Sequence, residues 1–330
     1  MIKKSVLITG IFGQDGSYLA ELLLSKGYAV FGLIRPEDRV PEGLEDIFKK
    51  TVLYEGDMCD NASIARAIKL SAPDEVYNLA SPSSVITSLE YPVMTSDATA
   101  LGPVRILEAL RDAKSTARFF QASSAEIFGD TDMSPQSESA LCRPKNPYGV
   151  AKLYAHNMMR VFRKQFDMYA VSGILYNHES SRRGSGFVTR KITSSAARIK
   201  NGSEEKLILG DIEARRDWGY APEYVEAMWR MLQQETPEDY VIATGISHSV
   251  EEFVEAAFSH VGLDWREHVE IDDRFKRRPD EVQSLGDPRK AKEKLHWKSE
   301  VTFSNLVQIM VEADMRSAQL PQATVLQPYS

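Results

Sequence analysis

Ser5-Val6-Leu7-Ile8-Thr9-Gly10-Ile11-Phe12-Gly13-Gln14-Asp15-Gly16 is the stretch that decides the fold. Residues 5–9 form an unbroken apolar run, the pattern of a parallel strand buried on both faces. Three glycines follow at GxxGxxG spacing, then a helical pattern from Ser17 to Lys26 closed by Gly27. Strand, glycine loop and helix together set a pyrophosphate on a helix N-terminus. The expected class is therefore α/β, a Rossmann-type doubly wound parallel sheet that binds a dinucleotide. Gly10, Gly13 and Gly16 are its first candidate site residues.

The pattern repeats outward from this unit. Ala29 to Ile34 is a second strand, ending at Arg35-Pro36. An acid at that point would suit a ribose 2′-hydroxyl, whereas arginine suits a 2′-phosphate. Arg35 thus points to NADP, with a solvated surface arginine as the competing reading. Val52 to Tyr54, with Gly56-Asp57-Met58, makes a third strand that brings Asp57 to the adenine position. Glu75 to Ala80 is a fourth, followed by Ser81-Pro82-Ser83-Ser84. Arg118 to Ala122 is a fifth, and delivers Ser124 and Glu126 at its carboxyl end, where open parallel sheets bind ligands.

Chemistry concentrates between Ser123 and Lys152. Asn146 suits an N-cap and Pro147 the first helical position. Tyr148 then lies in the first turn, where helix amides and dipole favour an anion. Lys152, four residues on, shares its face. A tyrosine of pKa about 10 is a poor base at neutral pH, and a neighbouring ammonium favours its phenolate. The pair reads as a phenol tuned to take a proton from an alcohol. Two exposed helix residues are the bland alternative; the glycine loop and the Ser-Ser-Ala-Glu segment at a strand end weigh against it.

Composition sets bounds. The 330 residues, 43% hydrophobic, suffice for one large α/β domain with an appended lobe. A net charge of −7 is no nucleic-acid footprint. Apolar runs stay short of the roughly 20 residues that a membrane span needs. Residues 1–4 lead straight into the first strand, which argues against a signal peptide. Cys59 and Cys142 lack a spacing for metal and suit a reducing compartment, so a cytoplasmic enzyme without metal is expected. Arg215-Arg216 reads as a pair of guanidinium groups for a diphosphate, or else as a solvated basic pair. Ser249 and Glu252 read as a capping box, Phe303 to Met315 as the last helix, and the polar tail from Ser317 as frayed.

Further blocks reveal a resemblance. They are Gly10 to Leu19 (GIFGQDGSYL), Gly173 to Ser180 (GILYNHES), Arg182-Arg183-Gly184, Phe187 to Lys191, Arg216-Asp217-Trp218-Gly219, Tyr224 to Trp229 and Val241 to Gly245. With SSAEIFG and YGVAK, they resemble the GDP-mannose 4,6-dehydratases of the extended short-chain dehydrogenase/reductase superfamily, from residue 5 to about residue 315. The resemblance implies an NADP-binding Rossmann domain over 1–180, its sheet completed from 206–245. It implies a smaller C-terminal α/β lobe, mainly for the nucleotide sugar, within 181–330. Gln14, Asp15, Met58, Leu79, Ala80, Ser81, His178 and Arg183 join the implied cofactor site. Ser84, Asn177, Val188, Lys191, Arg216, Arg278 and Glu281 join Ser124 and Glu126 in the implied substrate site. The other five histidines read as surface or packing residues.

The implied reaction is internal redox with loss of water. Tyr148 takes the 4-hydroxyl proton, Lys152 holds the ribose, Ser124 hydrogen-bonds O4 and Glu126 removes the C5 proton. Ser124-Ala125-Glu126 stands where the family has Thr-Ser-Glu, leaving Glu126 to serve the departing water as well. Pro82 and Ser84 stand where the family has glutamine and histidine. Other readings are the same dehydration of GDP-D-glycero-D-manno-heptose, a nucleotide-sugar 4-keto reductase or 4-epimerase, and an NADP-sensing regulator. Family members associate through a four-helix bundle, here expected from helices near 95–110 and 148–166, giving a homodimer. Family tetramers use the segment after the second strand, here Pro36-Glu37-Asp38.

Overall fold

Residues 5–9 form a strand whose side chains alternate between two packed faces. Val6 and Ile8 enter one apolar cluster and Leu7 the other. A computed structural model describes residues 3–203, 205–272, 274 and 283–319. In chain order the first elements are β1 (Ser5–Thr9), α1 (Gln14–Ser25), β2 (Ala29–Ile34), α2 (Glu45–Phe48), β3 (Val52–Glu55), α3 (Asn61–Ser71) and β4 (Glu75–Asn78). Next come α4 (Val85–Glu90), α5 (Pro92–Ser96), α6 (Gly102–Asp112), β5 (Arg118–Ser124), α7 (Pro147–Phe166), β6 (Ala170–Leu175), β7 (Asn177–Glu179) and α8 (Val188–Lys200). The remainder are β8 (Leu207–Leu209), β9 (Arg215–Tyr220), α9 (Ala221–Leu232), β10 (Tyr240–Ile242), β11 (Ser247–Ser249), α10 (Val250–His260), β12 (Val269–Ile271), α11 (Arg289–Lys294) and α12 (Phe303–Gln319).

Seven strands build one parallel sheet in the order β10-β6-β5-β4-β1-β2-β3. Helices α1 and α9 cover one face, and α3, α6 and α7 the other. The doubly wound sheet expected from the sequence is thus the observed one. From β1 the chain winds outward to β3, then returns to β4 and winds the opposite way. That reversal opens a crevice at the carboxyl ends of β1 and β4, where such sheets take their ligands.

The described chain packs as two units. The first comprises residues 3–178, 216–247 and 283–300, and the second 179–215, 248–272 with 274, and 301–319. In the second, α8, α10 and α12 pack together, and β8 pairs with β12 in parallel. There Ser249 caps α10, accepting from the Glu252 amide at 3.0 Å. The expected capping box closes, since the Glu252 carboxylate accepts in return from the Ser249 backbone, while also meeting His248 at 2.6 Å and Arg215 at 2.9 Å. The last helix outlasts its expected end: Ser317 Oγ donates to the Ala313 carbonyl, and the turns continue to Gln319.

One part-buried ion pair fixes the helix that carries the candidate chemistry. Arg163 of α7 donates to both Asp239 oxygens, at 2.7 and 2.6 Å, and to the Ala170 carbonyl of β6 at 2.7 Å. Asp239 also accepts from the Ser172 amide at 2.7 Å. Removing the guanidinium strands a buried carboxylate. Arg163→Leu is expected to lower unfolding free energy by about 3 kcal/mol in urea titration; an unchanged midpoint would contradict this.

Candidate functional site

The glycine loop is built by close approach. Gly10 has φ +69°, and a Cβ there would lie 2.8 Å from the Ala80 amide nitrogen, so β1 and β4 meet at the crevice. Thr9 Oγ1 accepts from that amide at 3.2 Å and donates to Asn78 Oδ1 at 2.5 Å. Gly13 closes the turn onto the Gly10 carbonyl and occupies the N-cap. Helix α1 therefore starts at Gln14, inside the loop, rather than at Ser17. Gly16 permits this, since a Cβ on it would sit 2.2 Å from the Gly10 carbonyl. With no side-chain cap, the positive end of α1 is open to an anion, as a dinucleotide pyrophosphate requires.

Around the loop, Leu79, Ala80 and Ser81 follow β4, and Ser81 Oγ lies 2.9 Å from Thr99 Oγ1. Strand β3 stops at Glu55, short of its expected end, and Asp57 turns back to accept from the Cys59 amide at 2.7 Å. Met58 is buried against Gly102. Arg35 ends β2 in ion pairs with Glu37 at 3.3 Å and Asp38 at 2.9 Å. Ser84, read as a substrate residue, caps α4 through the Thr87 amide at 3.2 Å.

The end of β5 and the start of α7 form the centre. Asn146 caps α7 by accepting from the Gly149 amide at 2.8 Å, with Pro147 in the first turn, as the sequence pattern requires. Tyr148 and Lys152 fall on one buried face, and the Lys152 ammonium lies 5.5 Å from the Tyr148 ring centroid. Lys152 donates to the Ala122 carbonyl at 2.8 Å. Desolvation pulls its pKa from 10.5 down to about 8, against an opposing pull from the Asp15 carboxylate. At neutral pH most of the amine still carries its proton. Ser124 accepts from the Glu126 amide at 3.2 Å, and its own O–H remains a donor. Glu126 Oε2 accepts from Asn146 Nδ2 at 2.7 Å.

Beyond β6, His178 lies between two acceptors. Its Nδ1 meets the Tyr176 carbonyl at 2.7 Å and its Nε2 meets Asp15 Oδ2 at 2.8 Å. Gln14 donates to the His178 carbonyl at 3.0 Å. Asn177 opens β7 beside it. A cavity in the first unit is lined by Ala125, Glu126, Phe128, Gly129, Gln136, Lys145, Arg216, Gln283 and Ser284. Glu126 and Arg216, 90 positions apart in sequence, thus share a wall. The expected pairing of Arg215 with Arg216 does not form. On strand β9 successive side chains point oppositely, and Arg215 is spent on Glu252 in the second unit.

This arrangement agrees with what the chain resembles. A family model described as GDP-mannose 4,6 dehydratase matches residues 7–310. The chain belongs to this family. GDP-mannose 4,6 dehydratase 1 of Arabidopsis thaliana is 48% identical over 96% of this chain and 91% of its own length. The Homo sapiens GDP-mannose 4,6 dehydratase is 44% identical over 94% and 91%. Among solved structures, a Thermotoga maritima UDP-glucose 4-epimerase with UDP-glucose superposes with TM-score 0.84 at 24% identity, covering 94% of this chain and 99% of that one. A Bacillus anthracis dTDP-glucose 4,6-dehydratase in complex with NAD gives 0.83 at 18% identity, covering 95% and 97%. RMD from Pseudomonas aeruginosa, complexed with NADPH, gives 0.80 at 21% identity, covering 95% and 100%. These three share the fold.

The remaining residues that the resemblance implies belong to the second unit or lie outside the described residues. Arg183, Val188 and Lys191 belong to the second unit. There Arg183 lies 3.0 Å from Glu179 and stacks on Phe187, while Lys191 donates to the Ile208 carbonyl at 2.6 Å. Val188 starts α8. Arg278 and Glu281 lie outside the described residues. Sequence reading passed over Lys145, which has no motif, and Asp217. Buried Asp217 accepts from the Thr244 and Gly245 amides, both at 2.9 Å, and from the Gly286 amide at 3.4 Å. Burial pushes its pKa up, against these bonds.

The Lys152 shift has a testable sign. Between pH 8 and 10.5 the unfolded chain keeps a proton that the folded chain releases, so stability rises with pH there. Below about 8 both states are protonated and the cost of burying the charge is complete. Relative to Lys152→Met, the cofactor-free wild type should gain about 3 kcal/mol across that window and stay level between pH 6 and 7.5. Urea titrations of both proteins at stepped pH check this; a flat difference would refute it.

Proposed function

We propose that this protein is a GDP-mannose 4,6-dehydratase, a lyase that converts GDP-D-mannose to GDP-4-keto-6-deoxy-D-mannose. Family membership supports the substrate. The observation that carries the reaction type is the Glu126 carboxylate, held by Asn146 beside the first turn of the Tyr148 helix. A 4-keto reductase or 4-epimerase moves no C5 proton and has no use for such a base. The cavity that Glu126 shares with Arg216 also supports a sugar nucleotide there, since a guanidinium pairs with phosphate oxygens.

A bound nicotinamide cofactor supplies the redox chemistry, taking reducing equivalents from C4 and returning them at C6. The chain's residues handle protons and position. Tyr148 Oη takes the 4-hydroxyl proton, and the Lys152 ammonium stabilises the charge left on the phenol. Ser124 donates to O4. The ketone formed at C4 acidifies C5–H, and Glu126 removes that proton as the C6 hydroxyl leaves. Ala125 offers no proton to the leaving hydroxyl, so Glu126 passes on the one it has taken, and water departs. Glu126, reprotonated from solvent, then returns a proton to C5 as C6 is reduced, and Tyr148 releases the O4 proton to solvent.

NADP is the proposed cofactor. Arg35 at the end of β2 supports it, although the 2′-phosphate must displace Glu37 and Asp38 from the guanidinium. Gly10, Gly13, Gln14, Asp15, Gly16, Asp57, Met58, Leu79, Ala80, Ser81, His178 and Arg183 complete the proposed cofactor site. Ser84, Asn177, Val188, Lys191, Arg278 and Glu281 join the substrate side.

A homodimer is proposed through α5, α6 and α7. Helix α7 has two apolar faces. Tyr148, Ala155, Met159 and Phe162 are buried, whereas Val150, Tyr154 and Val161 lie outward and exposed. Val93, at 81% exposure, and Leu101 extend that surface. A second copy of the chain would bury it. Among the described residues no helix is long and apolar enough to cross a membrane, and both cysteines are free thiols. The cytoplasm is the proposed compartment.

Four outcomes test these readings. With GDP-mannose in a single turnover, Tyr148→Phe should show no reduced-cofactor absorbance. Glu126→Gln should show absorbance that rises and persists, with turnover down about 10²–10⁴-fold. Wild-type rates in Glu126→Gln would instead favour the reductase or epimerase reading. Arg35→Ala should weaken NADP selectively in binding titrations; equal loss of NAD and NADP would end that assignment. Val150→Glu with Tyr154→Glu should sediment as a monomer where the wild type is a dimer; a monomeric wild type at micromolar concentration would overturn the interface.

A further inference from the structure

Asn146 does more than cap a helix. Its Oδ1 accepts from the Gly149 amide at 2.8 Å, which identifies the oxygen end of the side chain. The nitrogen end is thereby turned to Glu126 and donates to Oε2 at 2.7 Å. Asn146 is only 8% exposed, so water has little access to the amide side of this bond. Gly149 brings the two elements together, since a Cβ on it would lie 2.5 Å from the Glu126 carbonyl oxygen. The first turn of α7 and the turn after β5 are therefore docked at two adjacent points, one through backbone and one through the carboxylate.

We infer that Asn146 is a positioning residue for the C5 base, an inference that rests on the reading of Glu126 given above. The amide holds Oε2 and sets the carboxylate plane, leaving Oε1 to meet the substrate C5 proton. An amide does not titrate, so it orients the base without competing for the proton that the base must carry. The same side chain sets the start of the helix bearing Tyr148. One residue thus registers the group for C4 oxidation against the group for C5 deprotonation, which must act on neighbouring carbons of one sugar. Among the described residues, the charged groups that line the Glu126 cavity with it are Lys145 and Arg216, and Asp130 lies 3.3 Å from Lys145.

The test is Asn146→Asp in the full-length protein with NADP and GDP-mannose. Aspartate keeps the acceptor for the Gly149 amide and is a good N-cap, so the helix start survives. It loses the amide donor and sets a second carboxylate against Glu126. C4 oxidation, read as single-turnover reduced-cofactor absorbance, should run at the wild-type rate, and KM for GDP-mannose should hold. Solvent deuterium exchange at C5, and kcat with it, should fall roughly tenfold or more at neutral pH. The acid limb of the exchange profile should move to higher pH, because two carboxylates in contact share a proton. Adding Glu126→Gln to Asn146→Asp restores an amide-to-carboxylate bond, so the thermal midpoint should recover while exchange stays absent.

Wild-type exchange and an unmoved acid limb in Asn146→Asp would overturn the inference. So would equal losses in C4 oxidation and C5 exchange accompanied by a lower thermal midpoint, which is the mark of a cap alone. Glu126→Gln by itself separates the two levels. If it exchanges C5 normally, the base assignment fails and takes this inference with it. If it is inert while Asn146→Asp is normal, only the role of Asn146 fails.

Discussion

The docking of the first turn of α7 onto the end of β5 is the constraint on which the candidate site depends. Lys152 sends its ammonium to the Ala122 carbonyl in a place stripped of water. A buried ammonium without that acceptor would be costly, so the helix has little freedom to shift along its axis. Strand β5 is equally constrained, paired on one edge with β4 and on the other with β6. The position of Tyr148 follows from these two rigid pieces, and Glu126 sits in the 3₁₀ turn Ala125–Ile127 that directly follows β5.

Charge in the crevice is organised by the same scaffold. Asp15, in the first turn of α1, meets His178 beyond β6 and also acts through space on Lys152. The glycine loop that would hold a pyrophosphate is thereby coupled to the lysine beside the phenol. A chain of buried side chains runs parallel to this link. Thr9 donates to Asn78, Asn78 to Gln121 at 2.7 Å, and Gln121 to the Ala122 carbonyl at 2.9 Å, the acceptor that Lys152 also uses. These bonds follow one another across β1, β4 and β5, and such chains reinforce their members.

Much of this was legible before any coordinates. The order of the strands, the glycine turn and the Asn-Pro start of α7 each depend on one short run of backbone and came out as read, although β3 and β4 end earlier than expected. Misreadings arose where a local rule met a stronger distant partner. Arg215 and Arg216 look like a pair in sequence, yet strand geometry parts them. Helix α1 begins three residues early because Gly16 tolerates the Gly10 carbonyl at a distance that a side chain would forbid.

By itself, then, the sequence determined what propagates along the chain: a parallel sheet with helices on both faces, a glycine turn leading into the first helix, and a tyrosine and lysine on one helical face. These follow from backbone geometry over a few residues, where spacing translates directly into direction. Tertiary structure alone decided which side chains meet. Asn146 and Glu126 are 20 residues apart, and Asp15 and His178 are 163 apart. No spacing rule reaches across such separations, because the contact depends on how whole strands and helices stack. Lys152 shows both levels in one residue. Its place on the face of Tyr148 is written in the four-residue interval, whereas its loss of water, and the lowered pKa that follows, exists only once the sheet closes around it.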